Sequence, residues 1–178
     1  MRLFFALWPG KTLARKWHGL GRRWHPMVGG RLMPVANLHL TLVFLGEVPE
    51  QRVSELQACV ADLSAAPVRL ELTHASYWKH NGIVWLGPTT VPSELVALEQ
   101  ALRSRLATAG FVLEQREYVP HITLLRKALR GPAESLRPIV WECDSFVLAG
   151  STPGENGSSY AILGRWPLTG KYSEPAAR

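Results

Sequence analysis

The chain carries the same short pattern twice, a histidine and a threonine two residues apart inside an apolar, strand-like run. The first copy is His39-Leu40-Thr41, within NLHLTLVFLG, and the second is His121-Ile122-Thr123, within VPHITLLRK. Successive side chains of a β-strand alternate between its two faces, so each histidine and its threonine point the same way, about 6.6 Å apart along the strand. The pattern therefore predicts two strands, each presenting an imidazole and a hydroxyl on one face.

The spacing of the two copies also indicates an internal duplication. They lie 82 residues apart, and the same shift moves a helix predicted at 11–25 onto one predicted at 92–108. It also brings an apolar strand at 2–8 close to a second one at 82–86. We infer two related lobes that face each other about a pseudo-two-fold axis, each contributing one motif strand.

Apolar periodicity predicts the remaining elements. Helical spacing is found over 11–25, 50–64 and 92–108, and more weakly near 133–138. Strand-like patterns are found over 2–8, 38–45, 68–75, 82–86 and 119–125, and over a hairpin formed by 141–149 and 158–166 around the loop 151–157. Strands and helices are mixed without strict βαβ alternation, which favours the α+β class. We expect a single bilobal domain over 1–168, with lobes at roughly 1–75 and 80–168 that could exchange strands, and a polar, flexible tail over 169–178.

Length and composition suit a soluble domain with an anionic partner. The 178 residues suffice for one core, and the net charge of +6 with a pI near 9.7 favours a polyanion such as RNA. The apolar run from Leu3 to Trp8 is shorter than a signal peptide or a membrane span requires. Cys59 and Cys143 form no CxxC pattern and are expected to be reduced thiols. We therefore expect a cytoplasmic monomer that does not bind membranes.

Three stretches resemble a known family. LMPVANLHLTLVFLGEV, over 32–48, resembles the first signature of the bacterial and archaeal RNA 2′,3′-cyclic phosphodiesterases, also called 2′-5′ RNA ligase-like proteins. These belong to the two-histidine phosphoesterase superfamily. PHITLLR over 120–126 is similar to the second signature, and RLFFAL over 2–7 to the family's first strand. The resemblance implies a bilobal fold in which two antiparallel sheets surround a central cleft and the helices lie outside.

The motif residues fit the chemistry of that family. A 2′,3′-cyclic phosphodiester opens when water attacks phosphorus in line with the departing ribose oxygen, so the water must lose a proton and the alkoxide must gain one. Two imidazoles can do both, because histidine titrates near neutral pH. The hydroxyls of Thr41 and Thr123 can donate hydrogen bonds to the non-bridging oxygens. The resemblance implies a 2′-phosphate product. We assign His39 as the proton donor and His121 as the proton acceptor, and the near-symmetry of the motifs leaves the reverse order open.

Arg126 matches the arginine of the family's second signature and could bind phosphate oxygens through its planar guanidinium. Strict alternation from His121 and Thr123, however, turns Leu125 and not Arg126 toward the active face. Arg126 reaches the cleft only if the strand ends or bulges there. The other reading is a solvated arginine at the end of a strand.

An RNA substrate needs an aromatic side chain on which a base can stack. The candidates are Phe4, Tyr77, Trp78 and Tyr118. Of these, Tyr118 is closest in sequence to the second motif. The alternative for all four is ordinary packing in the core.

No metal or cofactor is expected. His18 and His25 share a helix face, but no carboxylate cluster accompanies them, and neither HExxH nor zinc-type Cys/His spacing occurs. The leading hypothesis is therefore metal-independent hydrolysis of RNA 2′,3′-cyclic phosphate ends, with possible ATP-independent 2′-5′ ligation by the same pair. The alternatives are a phosphodiesterase for another cyclic phosphate or for 2′-5′ oligonucleotides, and a non-catalytic RNA- or nucleotide-binding module. Retention of both motif histidines argues against the last.

Overall fold

The computed structural model describes residues 1–154 and 158–170 and has mixed α and β structure. Its elements in chain order are β1 (Arg2–Leu7), α1 (Lys11–Val28), β2 (Arg31–Leu32), β3 (Leu40–Glu47), α2 (Val53–Val60), β4 (Val68–Leu72), β5 (His74–Trp78), β6 (Ile83–Gly87), α3 (Ser93–Thr108), β7 (Ile122–Arg126), β8 (Ile139–Cys143), β9 (Ser145–Thr152) and β10 (Ser159–Pro167). The predicted α+β class is confirmed. The predicted tail beyond residue 170 and positions 155–157 of the predicted loop lie outside the described residues.

An antiparallel sheet of eight strands organises the chain. Its strand order is β10-β9-β1-β3-β7-β6-β5, and β2 also pairs with β7. Strands β10, β9, β1 and β3 form one arm of the sheet, and β7, β6 and β5 form the other. A single residue pair, Leu40 with Ile122, joins the two arms. A separate two-stranded sheet consists of β4 and β8. The two motif strands are therefore the central strands of the main sheet, where its two arms meet.

The segments β1-α1-β3 and β6-α3-β7 follow the same order, and the two strands of each segment pair antiparallel with each other. The helices cross over: α1 packs against β2 and β7, and α3 contacts β3. In α1, Gly21 allows the close approach, because a Cβ there would lie 2.6 Å from a methyl group of Leu32 and 3.7 Å from the Cβ of Leu124. The assignment of two lobes related by a pseudo-two-fold axis stays a prediction.

Strand β1 is buried on both faces and contributes to two apolar clusters. Leu3, Phe5 and Leu7 point into the large core formed with the helices and the small sheet, while Phe4 and Ala6 point to the opposite face. The other buried members of that second, smaller cluster are Val147 and Ala149 of β9. Full burial of a large apolar side chain stabilises a fold by about 1.5–3 kcal/mol. The small cluster forms the floor beside the first motif.

The short helix predicted near 133–138 is wrong, because these residues are described and contain no helix. Pro132 and Pro138 flank the segment, which is too short to offset the cost of nucleating a helix. Glu134 instead accepts a hydrogen bond from Nε1 of Trp24 at 3.1 Å.

The strand predicted over 68–75 is two strands in different sheets. The alternation holds as far as Leu72, and Val68, Leu70 and Leu72, which share one face, are fully buried. At Thr73 the backbone N–H turns away and donates to the carbonyl of Gly87, and β5 begins at His74 in the main sheet. The sequence pattern had no signal for this change of partner.

The hairpin predicted from 141–149 and 158–166 is confirmed in part, since β9 pairs with β10. The first predicted strand is interrupted at Asp144, because the residues before it belong to β8 in the small sheet. The helix predicted over 50–64 ends at Val60 and begins with a 3₁₀ turn.

Candidate active site

The bridge between β3 and β7 sets the positions of the four motif side chains. In an antiparallel ladder the residues flanking this pair oppose each other, His39 against Thr123 and Thr41 against His121. The two imidazoles therefore lie on a diagonal, for which side-chain separations are about 7–8 Å. All four residues are half-buried and line one cavity of about 310 Å³. One phosphoryl group in this cavity can contact both imidazoles.

Each imidazole is oriented by a backbone carbonyl two residues before it. Nδ1 of His39 lies 2.8 Å from the carbonyl oxygen of Asn37, and Nδ1 of His121 lies 2.8 Å from that of Val119. Because a carbonyl can only accept, both Nδ1 atoms carry the proton, and Nε2 of each neutral ring is an acceptor. The hydroxyl of Thr41 donates to Nε2 of His39 at 3.2 Å. The reactive nitrogen of each ring is therefore turned away from the backbone.

Aromatic rings enclose His39. Trp8 stacks on its imidazole at 5.1 Å with an interplanar angle of 7°, and Phe4 stacks at 4.8 Å and 29°. Tyr160 of β10 meets the ring edge-on at 5.3 Å. His121 has edge contacts instead, with Trp78 at 4.5 Å and Trp85 at 6.1 Å. The first histidine is thus held between ring faces and the second is not.

Burial lowers the pKa of both histidines. For His39 the pKa falls to about 4, opposed by the hydrogen bond to the carbonyl of Asn37 and lowered further by the charges of His121 and Arg126. For His121, burial again lowers the pKa, and the charges of Arg126 and Arg116 act in the same direction. Both rings are therefore neutral at pH 7. An anion in the cavity favours their protonated forms.

A register shift brings Arg126 to the cavity. Adjacent residues of β6 pair with Thr123 and Leu125 of β7, so that Leu124 is an extra residue between them. Leu124 and Leu125 are consecutive and both fully buried, and Arg126, rather than Leu125, lines the cavity with Thr123. The strand bulges at the place that the sequence required for this arginine to reach the site.

The first motif strand has the same irregularity. Adjacent residues of β1 pair with Thr41 and Val43 of β3, which makes Leu42 the extra residue. Phe44 consequently lines the cavity. Phe44 and Arg126 each lie three residues after a motif threonine, so the two strands present a phenyl ring and a guanidinium at matching positions.

The lining of the cavity is electropositive. Arg2, Arg31 and Arg126 contribute to it, and within residues 1–154 and 158–170 no carboxylate does. Arg31 lies directly opposite Arg126 in the β2–β7 ladder. The hydroxyls of Ser151 and Ser158 complete a surface suited to phosphate and ribose oxygens.

The predicted base-stacking residues are found in different places. Phe4 lines the cavity, where it is 4% exposed and stacks on His39. The hydroxyl of Tyr77 donates a hydrogen bond to the carbonyl of Ala128 at 3.1 Å, and Tyr77 lines neither the cavity nor the more open space beside it. Trp78 and Tyr118 line that neighbouring space. Tyr118 directs its hydroxyl into the interior, where burial raises its pKa, and Trp78 is half-buried beside His121.

Several residues at the cavity were not predicted from the sequence. Asn37 lies two residues before His39 in the strand-like run, so alternation alone would have placed it on the same face. Its side-chain amide donates to the carbonyl of Ser158 at 2.6 Å and links the motif to the C-terminal hairpin. Trp8 and Tyr160 had no such signal, because they reach His39 only once β1 and β10 are placed in the sheet.

A second, more open space adjoins the cavity, and we call it the groove. Its volume is about 580 Å³. Its lining includes four residues that also line the cavity: Thr41, Phe44, His121 and Arg126. Side chains found only in the groove include Trp78, His80, Asn81, Arg116 and Tyr118. His39 belongs to the cavity alone, whereas His121 lies between the two spaces.

The remaining features concern the cysteines, possible metal ligands and helix lengths outside the cavity and the groove. Cys59 and Cys143 are unpaired thiols, as predicted. Within residues 1–154 and 158–170, no group of three or more histidine, cysteine, aspartate and glutamate side chains is arranged to hold a metal ion. In the same part of the chain, none of the helices has the length and apolar character needed to cross a membrane.

Several known proteins are similar to this chain in sequence and architecture. The RNA 2′,3′-cyclic phosphodiesterase of Escherichia coli K12 is 33% identical over 171 residues, which cover 94% of this chain and 97% of that protein. A protein of the same name from Methanocaldococcus jannaschii is 30% identical over 153 residues, covering 79% and 86% of the two chains. The crystal structure of E. coli LigT complexed with 3′-AMP matches with a TM-score of 0.83 at 32% identity, covering 94% of this chain and 98% of that one.

A more distant crystal structure, of a Thermus thermophilus protein, matches with a TM-score of 0.77 at 26% identity and covers 97% of this chain and all of that one. These matches confirm the predicted fold. The model of the 2′-5′ RNA ligase superfamily matches residues 11–152, which is most of the chain and includes both motifs. The protein therefore belongs to the 2′-5′ RNA ligase superfamily.

Proposed function

We propose that this protein is an RNA 2′,3′-cyclic phosphodiesterase that opens the cyclic phosphate at an RNA end to a 2′-phosphomonoester without a metal ion. The observation that carries the proposal is the single cavity lined by both His-x-Thr pairs and three arginines. Two imidazoles, one to donate a proton and one to accept it, and a cationic lining are what the hydrolysis of an anionic diester needs. The names of the relatives from E. coli and M. jannaschii point to the same reaction.

The cavity and the groove support a direction for the proton transfers. His121 lies where the two spaces meet, so Nε2 can take a proton from a water that arrives through the groove. His39 faces only the more enclosed cavity, where the ribose would lie, and would donate its proton to the departing 3′ oxygen. Burial lowers the pKa of His39, and binding of the negative phosphate raises it again, which charges the donor when substrate is present.

Protonation of His39 also changes what Thr41 can do. The Thr41 hydroxyl donates to Nε2 of His39 while that nitrogen is unprotonated. Once Nε2 carries a proton it no longer accepts, and the hydroxyl becomes available to a non-bridging phosphate oxygen. Thr123 and the guanidinium of Arg126 would bind the other oxygens, the latter in a charge-assisted contact.

The substrate is expected to be a nucleotide or an RNA end that carries the 2′,3′-cyclic phosphate. Trp78 is the base-stacking candidate that the geometry favours, because it is half-buried in the groove next to His121. We expect the protein to act as a cytoplasmic monomer.

Incubation of the protein with a 2′,3′-cyclic nucleotide in the presence of EDTA tests the proposal. We expect complete conversion to the 2′-phosphate, identified by ³¹P NMR against both monophosphate standards. A 3′-phosphate product would show that the 2′ oxygen is the leaving group, which would contradict donation of a proton from His39 to the 3′ oxygen. Inhibition by EDTA would contradict metal-independent chemistry.

A substrate panel separates the alternatives. Faster turnover of a 3′,5′-cyclic nucleotide or a 2′-5′ dinucleotide would identify the related phosphodiesterase activities. Binding of a cyclic nucleotide in calorimetry with no turnover over hours would identify a non-catalytic module.

A further inference from the structure

We infer that Tyr77 positions Arg126 for phosphate binding, because its hydroxyl holds the turn that follows Arg126 through a hydrogen bond to the carbonyl of Ala128. This inference rests on the proposed function, in which the Arg126 guanidinium binds the phosphate, and adds the residue that directs it. Tyr77 is not among the residues that line the cavity, whereas Arg126 is. Tyr77 therefore acts through Arg126 and is a positioning residue.

The chain turns sharply where β7 ends. Arg126 is the last residue of the strand, and Lys127, which follows it, has a φ of 57°. Among residues 1–154 and 158–170, Lys127 is the one residue other than glycine with a positive φ. The left-handed conformation is unfavourable for a residue that carries a Cβ, so it persists only where the surrounding structure holds it. The contacts of this turn therefore decide how Arg126 is presented.

Three hydrogen bonds from separate segments hold the two residues after Lys127. The N–H of Ala128 donates to the carbonyl of Gly82 at 2.8 Å, and the N–H of Leu129 donates to the carbonyl of Val28 at 2.8 Å. The third is the bond from the tyrosine hydroxyl to the carbonyl of Ala128, at 3.1 Å. The first two bonds join backbone groups, so the tyrosine hydroxyl is the member of this set that a substitution can remove.

The turn between α1 and β2 closes the other side. Gly30, in that turn, has a φ of 85°, and a Cβ there would lie 2.5 Å from the carbonyl oxygen of Arg126 and 2.7 Å from the nitrogen of Ala128. Only a glycine allows this approach, because it has no Cβ and adopts a positive φ readily. The peptide groups on both sides of Lys127 are therefore packed directly against a neighbouring backbone.

The bond from Tyr77 is difficult to replace. Ala128 is 5% exposed, so water has little access to its carbonyl once the tyrosine hydroxyl is removed. An unpartnered buried carbonyl is costly, and the turn can relieve that cost by moving. Movement at Lys127 rotates the peptide that joins it to Arg126 and turns the guanidinium away from the phosphate. A bidentate contact depends on orientation, so its loss lowers affinity.

The two catalytic histidines are oriented independently of this turn. Their Nδ1 atoms donate to the carbonyls of Asn37 and Val119, which lie before the motifs. Loss of the tyrosine hydroxyl should therefore weaken phosphate binding and leave proton transfer intact. A general loss of structure would lower both.

Tyr77→Phe tests the inference in the full chain, since it keeps the ring and removes only the hydroxyl. We expect the KM for cytidine 2′,3′-cyclic phosphate, and the Kd for cytidine 2′-phosphate in calorimetry, to rise about three- to tenfold, with kcat changed less than about twofold. Thermal unfolding shows that the variant is folded at the assay temperature. Leu129→Ala is the matched control, because it alters a side chain of the same turn that is 79% exposed and keeps the backbone hydrogen bonds. It should leave both constants unchanged.

Two further backgrounds separate positioning from general support of the fold. In the Arg126→Ala background, Tyr77→Phe should cause no further rise in Kd, because the side chain that the tyrosine directs is already absent. In the Lys127→Asn background, the effect of Tyr77→Phe on Kd should fall below about twofold, because asparagine adopts the left-handed conformation more readily than lysine does.

The outcomes distinguish this inference from the proposed function. An unchanged Kd in Tyr77→Phe would overturn the inference and leave the proposed function intact. A rise of undiminished size in the Arg126→Ala or the Lys127→Asn background would also overturn it, because Tyr77 would then act elsewhere. An unchanged Kd in Arg126→Ala alone would overturn the phosphate contact and, with it, the positioning of that contact. Absence of turnover by the unaltered protein would overturn the proposed function, and the calorimetric comparison would still decide the inference.

Discussion

The two histidines of the cavity occupy matching places in the repeated strand pattern, yet their surroundings differ. His39 is stacked between the rings of Phe4 and Trp8, and it faces only the cavity. His121 is met edge-on by Trp78 and lies open to the groove. The repeat thus supplies two equivalent imidazoles, and the residues around them make one enclosed and the other accessible.

A second difference lies three residues beyond each motif threonine. Each strand carries an extra residue in its ladder, and the side chain two residues after it points toward the cavity. That side chain is Phe44 in β3 and Arg126 in β7. The backbone irregularity is repeated and the side chain is not. The comparison shows that equivalent backbones can supply the acid–base pair while single side chains make the two sides of the phosphate different.

The largest expected effect comes from the histidines themselves. His39→Ala and His121→Ala should each lower kcat for a 2′,3′-cyclic nucleotide by about 10²–10⁴-fold, because each removes a positioned acid or base. A phosphodiester with a p-nitrophenolate leaving group needs no proton donor. On that substrate the loss in His39→Ala should shrink strongly, and the loss in His121→Ala should persist.

Steady-state rates on both substrates, with thermal unfolding as the control for folding, make this measurement. If the substrate with the p-nitrophenolate leaving group restored the rate of His121→Ala and not that of His39→Ala, the assigned roles of the two histidines would be reversed. Near-normal turnover of either variant on the cyclic nucleotide would remove that residue from the mechanism.

The next effect concerns Arg126 and its counterpart. Arg126→Ala should raise KM about 10–100-fold, since a hydrogen bond to a charged group contributes about 1.5–3 kcal/mol. Arg126→Lys should restore little, because a lysine cannot make the bidentate contact. The exchange variant Phe44→Arg with Arg126→Phe should recover part of the affinity lost in Arg126→Phe if the two positions are equivalent. A KM for the exchange variant no better than that of Arg126→Phe would show that they are not.

The pH dependence should reflect the lowered pKa of both histidines. The active form needs one protonated and one neutral ring, and in the free protein both pKa values lie below 6.5. Rising pH therefore removes the single proton, and kcat/KM should fall about tenfold per pH unit on a limb centred below pH 6.5. Because the bound anion raises both pKa values, the limb of the kcat profile should lie at higher pH. A kcat/KM limb centred above pH 7 would contradict the burial of these rings.

The smallest effect tests the enclosure of His39. Trp8→Ala opens one face of the imidazole to water, which should raise the pKa of His39 toward 6.5 and lower kcat several-fold. Trp8→Phe keeps a stacking ring and should preserve both values. The pKa can be followed by NMR titration of the histidine ring protons. If the His39 titration does not move in Trp8→Ala, the stacked ring has no part in keeping water from the donor.

Much of this architecture could be predicted from local pattern. Period-two alternation placed each histidine and threonine on a common face, and the helical spacing of apolar residues located α1 and α3 to within a few residues. These signals are reliable because a buried face requires apolar side chains at the period of its own element. They depend only on neighbours in sequence.

Other features required partners distant in the chain. The bulges that bring Phe44 and Arg126 to the cavity arise from pairing with β1 and β6, and Tyr160 reaches His39 only because β10 joins the sheet through β9. The change of sheet at Thr73 likewise depends on a hydrogen bond to Gly87. None of these contacts produces a periodic pattern in the sequence, because each depends on which strands are neighbours in the sheet.

The sequence by itself determined which residues could do the chemistry, because alternation along a strand is set by the backbone of that strand alone. The tertiary structure decided that the two motif strands meet at one residue pair, that one histidine is enclosed, and that the other faces a groove. The physical reason is that register and enclosure depend on cross-strand hydrogen bonds and on packing between segments separated by dozens of residues. The local sequence pattern does not specify these contacts.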